Sequence, residues 1–409
     1  MTLFPAAPET PSVAPAAVLL AGGFSSRMAC CKLLLELGGT SALAQAVTRL
    51  RAAGVENVVV VTGHWRQEVE AEAARLGART VHNDRYEEGM FSSVQAGVAA
   101  LPEETEAFFL LPGDVPLVKP ATYRALLAAF ADAGRRAGMP LESFPLVVHP
   151  FFAGARGHPP LLAGPLRQAI LARTEGTLRD VLDGADAKDC PVPDASVLLD
   201  MDTPEDYRRL AAYALRESAP TDEECEALWN AANTPERVRT HCRTVAAVAT
   251  RLGEVLAAAG VPLDLPLLRS AALLHDVRRL EKHHAEAGAA FLGAHGYNAV
   301  AALTAVHMEL PASLPPALDE ANLLYLADKL VDDHRVVSLK TRIAGLETKY
   351  QGDPKALRRG RKRLERAASV THLLEAALGK SPEELLAPLG TPENAPKAPE
   401  NAEKHTGSA

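Results

Sequence analysis

The sequence is short of cysteine. Its five cysteines (30, 31, 190, 225 and 242) are an odd and scattered set in 409 residues. That pattern excludes a disulfide framework. Cys30 and Cys31 are adjacent, not in the C-x-x-C spacing that suits zinc. The five read as small, partly buried residues in a reducing cytoplasm. No apolar run reaches the roughly 18–20 residues that a membrane helix needs, so no membrane partner is expected. There is no basic excess: 43 Lys and Arg face 51 Asp and Glu, a net charge of −8. Without a basic footprint, nucleic acid is not an expected partner. Residues 1–15 are rich in Pro and Ala and lack the basic start of a signal peptide, so they read as a flexible leader. Two common phosphate motifs are also missing, the Walker A loop G-x-x-x-x-G-K-[ST] and the dinucleotide turn G-x-G-x-x-G.

What is present is an ordinary globular composition, 47% apolar and 23% charged. The length implies two domains. From residue 16 to 214, short apolar runs alternate with helical spacing. Strands are expected at Ala17–Leu20, Val58–Thr62, Arg79–His82 and Ala107–Leu111, with helices at Thr40–Ala53, Gln67–Leu76 and Phe91–Ala100. This predicts an α/β Rossmann-like domain with a mostly parallel sheet. Ligands on such sheets sit at the carboxyl ends of the strands.

After a short link near Glu217–Asp222, residues 222–378 contain no convincing strand and predict an all-α domain. Its helices are expected at Pro235–Ala259, Leu267–Leu280, His284–His295, Ala299–Val306 and Leu318–Ser338. Lys340–Arg366 is strongly basic, and reads first as a solvated helix pair and second as an anion-binding or partner surface. Residues 379–409 are poor in large apolar residues and are expected to be disordered.

The first expected strand runs into Leu20-Ala21-Gly22-Gly23-Phe24-Ser25-Ser26-Arg27-Met28, followed by Lys32. Glycines at such a turn let backbone N–H groups approach phosphates. Arg27 and Lys32 add positive charge for a triphosphate. Asp114, in Pro112-Gly-Asp-Val-Pro116, follows another strand. A carboxylate at a strand end suits Mg²⁺, which bridges phosphate oxygens.

This loop resembles the L-A-[AG]-G-x-S-x-R-M-G-x-x-K signature of the nucleotidyltransferases that mature the molybdenum cofactor. Four further segments resemble that family in the same order. They are Asn83 to Gly97 with Gly89-Met90 and Ser93, the Gly113-Asp114 turn, Gly157-His158-Pro159, and Asp200-Met-Asp-Thr-Pro-Glu-Asp206. The resemblance implies catalytic roles for Arg27, Lys32 and Asp114. It implies nucleotide binding by Leu20, Ala21, Gly22, Gly23, Ser25, Lys32, Asn83, Gly89, Met90 and Ser93, and acceptor binding by Gly157, His158 and Pro159. Asp202 becomes a second Mg²⁺ candidate, although Asp200 and Asp202 read equally well as caps of a helix starting near Pro204.

Ala29 replaces the signature's second glycine, so the loop is expected to be shaped somewhat differently. Gly22-Gly23 resembles the guanylyltransferase branch. Gly89-Met90, Ser93 and Gly157-His-Pro159 resemble the cytidylyltransferase branch. The implied substrates are CTP, with GTP as the alternative, and molybdopterin, with a molybdoenzyme or its chaperone as the receiving partner. An already ionised phosphate acceptor needs no general base, so catalysis would be positioning plus charge stabilisation. Sugar or alcohol phosphates remain alternative acceptors.

The second domain holds His241, His275-Asp276, His284, His307 and Asp328. Imidazole with carboxylate suits a divalent metal such as Mn²⁺, Fe²⁺ or Mg²⁺ better than a thiolate zinc site does. Two ionisable residues after the apolar run Ala271-Ala-Leu-Leu274 need partners or a metal. The order H…HD…H…H…D resembles the HD-domain metal-dependent phosphohydrolases, including branches with two metals. His284 is better placed than His283 relative to Gly288. The resemblance implies that a metal-activated water attacks a phosphate ester, with Lys329 and Arg278 near that phosphate. Asp332 and Asp333 read as helix-surface residues. The alternative is a non-catalytic nucleotide sensor.

Overall fold

The computed structural model describes residues 15–24, 30–137, 144–311 and 313–389. The strands are β1 (Pro15–Ala21), β2 (Glu36–Leu37), β3 (Thr40–Ser41), β4 (Asn57–Thr62), β5 (Arg79–His82), β6 (Ala107–Pro112), β7 (Leu146–Phe152), β8 (Ala155–Arg156), β9 (Leu161–Ala163), β10 (Asp186–Pro191), β11 (Val331–Asp332) and β12 (Arg335–Val336). Helices α1 (Ala42–Ala52), α2 (Arg66–Arg75), α3 (Met90–Ala99), α4 (Pro120–Ala137), α5 (Leu166–Ala172), α6 (Leu178–Leu182), α7 (Pro204–Leu215) and α8 (Asp222–Ala231) belong to the first part of the chain. The rest is α9 (Glu236–Ala258), α10 (Leu265–Leu274), α11 (His284–Ala294), α12 (Asn298–Val306), α13 (Glu320–Lys329), α14 (Leu339–Lys349), α15 (Pro354–Leu378) and α16 (Pro382–Leu386). There are two compact units. One runs through Asn233 and includes Ala290–Asn298; the other takes Thr234–Ala289 and Ala299 onward.

The first unit is built on a sheet of order β10-β7-β9-β6-β1-β4-β5. β6, β1, β4 and β5 run parallel, and β9 alone enters antiparallel between β6 and β7 on this path. The period-2 alternation of strand side chains explains the layers. On β1 and β6, Ala17, Leu19, Phe109 and Leu111 face one core, which α1, α2 and α4 close with Val47, Val69 and Phe130. Ala16, Val18, Phe108 and Leu110 face the other, closed by α3 and α5 through Val94 and Ile170. Both faces are buried, so the strands read as continuous apolar runs. The chain adds β4 and β5 on one side of β1, then crosses to β6 on the other. That reversal opens a crevice beyond the carboxyl ends of β1 and β6, the usual ligand position in such sheets.

A fully buried ionic cluster ties the end of this unit together. Lys119, just before α4, lies 3.3 Å from Asp194 and 3.1 Å from Glu224 of α8. It also contacts the Tyr213 hydroxyl and lies over the Tyr297 ring at 5.1 Å. Removing one partner of a buried ionic group strands the rest without counter-charge, at about 3–5 kcal/mol. Lys119→Met is therefore expected to lower stability by about that amount, read as a denaturant midpoint shift. A loss below about 1 kcal/mol would show that the cluster tolerates the change.

In the second unit, α9, α10, α13 and α15 surround an apolar interior that includes Val245, Leu252, Leu268, Leu324 and Leu374. Two helix expectations are corrected here. The helix expected to Leu280 stops at Leu274, because His275 to Leu280 turns instead: the Val277 N–H bonds Leu274, and the Val277 carbonyl accepts the Thr234 hydroxyl. The helix expected to Ser338 stops at Lys329. Val331–Val336 then forms the hairpin β11–β12, with Asp333 at a positive φ of 56° in its turn. So this part does contain strands, and Asp332 and Asp333 sit on a hairpin, not a helix face.

The basic stretch forms α14 and α15. The expected disorder is corrected over its first residues: Ser381 caps α16, and Leu385 and Leu386 are buried. Residues 390–409 lie outside the described residues, as do 1–14; Pro15 opens β1.

Candidate active sites

In the first unit, the loops after β1, β4, β5 and β6 meet at one sheet edge. The turn after β1 and the turn after β4 are pressed together: a Cβ on Gly63 would lie 2.5 Å from the Gly22 carbonyl oxygen. Only glycine allows this approach. Gly89 holds a φ of 108° at the start of α3, a conformation L side chains avoid, and so turns the chain into the helix. Asn83 is buried and donates to Ser92 and Ser93 at 2.9 and 3.0 Å. Ser93 Oγ in turn lies 3.1 Å from where a Gly22 Cβ would be. Asn83 and Ser93 thus brace the back of the glycine loop. Met90 is exposed.

Lys32 stands at the centre of this edge. Its Nζ lies 2.8 Å from Asp114 Oδ2 and 2.9 Å from Asp202 Oδ1. Burial would lower the Lys32 pKa, but the two carboxylates outweigh it and hold it above the ordinary value. Asp202 is not a helix cap: Thr203 caps α7 in a reciprocal box with Asp206, which leaves Asp202 facing Lys32. Asp200 does not cap α7 either; burial, then repulsion from Asp202 and Asp114, raises its pKa. His158 lies within electrostatic range of Asp114 and Asp200. Gly157 packs on Val197, and the His158 N–H bonds the Val197 carbonyl. Carboxylate oxygens from two loops converging on one point suit a hard cation such as Mg²⁺. Arg27 and Ser25 lie outside the described residues; Leu20, Ala21 and Gly23 lie in β1 and its following turn.

One feature was not legible in sequence order. Phe24, His64 and Tyr86 cluster beside the glycine turn, with ring centroids 5.1 Å apart for Phe24–His64 and 5.4 Å for Phe24–Tyr86. They come from three separate loops, so no local motif announces them.

In the second unit, the six residues singled out converge. His241, His275 and Asp276 bring ligand atoms within 4.8 Å of one another, and so do Asp276, His284 and His307. Asp276 is common to both triads. Asp328 Oδ1 lies 3.3 Å from His241 Nε2 and 3.8 Å from His275 Nε2. The backbone aims the rings. Nδ1 of His241, His275 and His307 lies 2.6, 2.8 and 2.7 Å from the carbonyl oxygens of Asp333, Ala272 and Thr304. A carbonyl only accepts, so each Nδ1 carries the proton and each Nε2 lone pair points inward, as metal ligation requires.

Among the described residues, His275 Nε2, His307 Nε2 and Asp276 Oδ1 are buried without a hydrogen-bond partner. Leaving such atoms unpaired is costly, and a divalent metal satisfies all three. Burial pushes the His275 pKa down to about 4, so the ring is neutral near pH 7. Burial would raise the pKa of Asp328, but the Lys329 ammonium and His241 hold it well below the carboxylate range. His283, at a positive φ of 56°, is exposed, whereas His284 Nε2 lies 3.2 Å from Asp276.

Arg278 pairs with Glu281 at 3.0 Å, and the neighbouring Arg279 reaches His284 Nε2 at 3.0 Å. Lys329 sits beside Asp328. A cavity of about 1050 Å³ opens on this cluster, with Asp276, His307 and Asp328 in its wall.

Two family models match separate stretches of the chain. The family model described as a MobA-like NTP transferase domain matches residues 17–192, and the HD domain model matches residues 238–332. The chain joins a MobA-like NTP transferase domain to an HD domain. It is a nucleotidyltransferase, and both kinds of domain work with divalent metal.

Among curated proteins, the chain is similar to the molybdenum cofactor cytidylyltransferase of Escherichia coli, at 28% identity over 192 residues, 46% of this chain and 92% of that one. It is also similar to the bifunctional protein GlmU of Corynebacterium aurimucosum, at 36% identity over 118 residues, 27% of this chain and 24% of that one. It thus spans about a quarter of that second relative's length. Among solved structures, a nucleotidyl transferase from Methanothermobacter thermautotroptrophicus is 26% identical with a TM-score of 0.42, covering 50% of this chain and 98% of that one.

Proposed function

We propose that the MobA-like domain transfers a cytidylyl group from CTP to the phosphate of molybdopterin, with release of pyrophosphate. The observation that carries this reading is the meeting of Lys32, Asp114 and Asp202 at the crevice beside the glycine turn. The relative named as a molybdenum cofactor cytidylyltransferase, matched over 92% of its length, supports the choice of base and acceptor. Asp114 and Asp202 would hold Mg²⁺, which neutralises phosphate oxygens as the transfer proceeds. Lys32 balances the same negative charge and keeps the two carboxylates in place. The acceptor phosphate is ionised near neutral pH, so no general base is needed and the protein's work is alignment and charge balance. Gly157, His158 and Pro159 would border the acceptor. The dinucleotide product would pass to a molybdoenzyme or its chaperone in the cytoplasm.

We further propose that the HD domain is a metal-dependent phosphohydrolase. His241, His275, Asp276, His284, His307 and Asp328 would hold Mn²⁺, Fe²⁺ or Mg²⁺, with Asp276 shared between two triads. The metal supplies an activated water at neutral pH.

A nucleotide panel tests the first reading. CTP with Mg²⁺ and molybdopterin is expected to give pyrophosphate at least about tenfold faster than GTP, about 1.4 kcal/mol of discrimination. Equal or faster turnover with GTP would move the chain to guanylyl transfer. Release only with a sugar or alcohol phosphate as acceptor would replace molybdopterin.

A further inference from the structure

The HD cavity is larger than one reacting phosphate requires. Its volume of about 1050 Å³ is at the top of the range for small-ligand sites, about 300–1000 Å³. The metal-ligand cluster occupies only one part of the wall. Another part comes from α14 and α15, the basic stretch, which the proposed hydrolase chemistry does not use. Arg342 of α14 and Arg363 of α15 both line the cavity.

Their existing partners are weakly held. Arg342 bonds Asp332, which is 64% exposed and is released to water at little cost. Among the described residues, the Arg363 side chain has only a long contact with Glu309, at 3.9 Å, and its buried Nε has no hydrogen-bond partner. The Arg363 side chain is 30% exposed and lines the cavity, so its guanidinium can be reached from there, and guanidinium favours phosphate. The Tyr325 hydroxyl bonds the Arg363 carbonyl at 2.9 Å, so the residue is tied at its backbone while its head stays available. The remaining wall includes Val238, Leu346, Leu364 and the 78% exposed Leu280, apolar surface that a purely ionic ligand would leave wet.

We infer that this cavity takes a diphosphate bridging two organic groups, a dinucleotide-sized ligand. One phosphate lies at the histidine–aspartate cluster, and the second is held by Arg342 and Arg363. This rests on the hydrolase reading only for what happens next. Water would bond one phosphorus, one bridging P–O bond would break, and two phosphomonoesters would leave with release of two protons. A diphosphate between two organic groups is also the class of compound that nucleotidyl transfer onto a phosphate makes. The HD site is therefore suited to consume a product of the kind the first domain forms.

The test uses the full chain and flavin adenine dinucleotide as the probe, with its halves FMN and AMP as monophosphate comparators. Binding is read by flavin fluorescence, and by competition for AMP, with a chelator present so that no turnover intervenes. The dinucleotide is expected to bind at least about tenfold tighter than FMN, the worth of one added charge-assisted phosphate contact. The double variant Arg342→Ala/Arg363→Ala should bring the dinucleotide down to the FMN level and change FMN itself less than about twofold. Arg363→Gln, which keeps the side-chain length, should show part of the same loss if the double variant melts early.

Equal binding of dinucleotide and FMN in the wild type overturns the inference. So does an unchanged dinucleotide affinity in a double variant that melts normally. A separate arm follows hydrolysis of p-nitrophenyl phosphate with Mn²⁺. Arginine-dependent preference for the dinucleotide without any hydrolysis would sink the hydrolase reading and support the ligand class. Hydrolysis without that preference would do the reverse.

Discussion

Asp114→Asn is expected to slow pyrophosphate release by about 10³-fold, or about 4 kcal/mol of barrier, with little change in melting temperature. The substitution keeps the shape of the side chain and removes its charge. In the wild type, Asp114 and Asp202 hold Lys32 between them at 2.8 and 2.9 Å. Without the Asp114 charge, the proposed cation site loses a ligand, and Lys32 loses one of its carboxylate partners. Both changes act on the phosphates during transfer, when negative charge is being redistributed, so the loss should fall on kcat more than on KM. Asp114 is part-exposed and, among the described residues, pairs with Lys32 alone, which is why the fold should survive. A variant that keeps more than about a tenth of the wild-type rate would remove Asp114 from the machinery. Asp202→Asn, at the outer side of the same lysine and 49% exposed, should cost less.

Asp276→Ala should empty the HD domain of divalent metal, as read by elemental analysis of the purified chain, and abolish phosphoester hydrolysis there by about 10³-fold or more. The large effect follows from geometry. Asp276 is the carboxylate common to both triads, so its loss breaks both at once. His284→Ala breaks one triad and should leave a partial metal content. Retention of full metal by Asp276→Ala would refute the shared-ligand arrangement.

The metal-free chain should also respond to acid. Burial places the folded pKa of His275 at about 4, below its ordinary value of 6.5. The unfolded chain therefore binds more protons between those values, and stability falls as pH drops through that window. Asp276 has the opposite chemistry and the same slope. Burial would raise its pKa, but the histidines around it hold it well below the carboxylate range. Its stabilisation is present above the unfolded value of about 4 and is lost as pH falls below it. Chelator-treated protein melted across pH 4 to 7 checks the sign. His275→Asn should flatten the upper part of that curve.

Much of the first site could be read from residue order because its parts are local. Gly22-Gly23, Gly113-Asp114 and Gly89 each sit at a strand end or helix start, where the backbone itself needs glycine or a turn. The equal choice for Asp202, between cap and site, could not be settled that way. It depended on which residue took the α7 cap, and Thr203 with Asp206 took it. The same holds in the second unit. The histidines and aspartates were conspicuous after apolar runs, but Arg279 and the Asp333 carbonyl were not. Both matter only because the chain turns after Leu274 and again at the β11–β12 hairpin, short features that helical periodicity runs straight through.

The sequence by itself determined the two-part plan, the parallel sheet and the residue types at each site. Alternating apolar runs, helical spacing and glycine at turns are set by nearest-neighbour backbone and burial preferences. Only the tertiary structure decided which side chains meet. Lys32 reaches Asp202 across 170 residues, and the three inward-facing Nε2 atoms depend on the carbonyls of Asp333, Ala272 and Thr304 that hold the opposite ring nitrogens. Arg342 and Arg363 line a cavity and not only a solvated helix face, because α14 and α15 fold back beside the metal-ligand cluster. Such contacts arise from packing over long chain separations, where local preference carries no information about the partner.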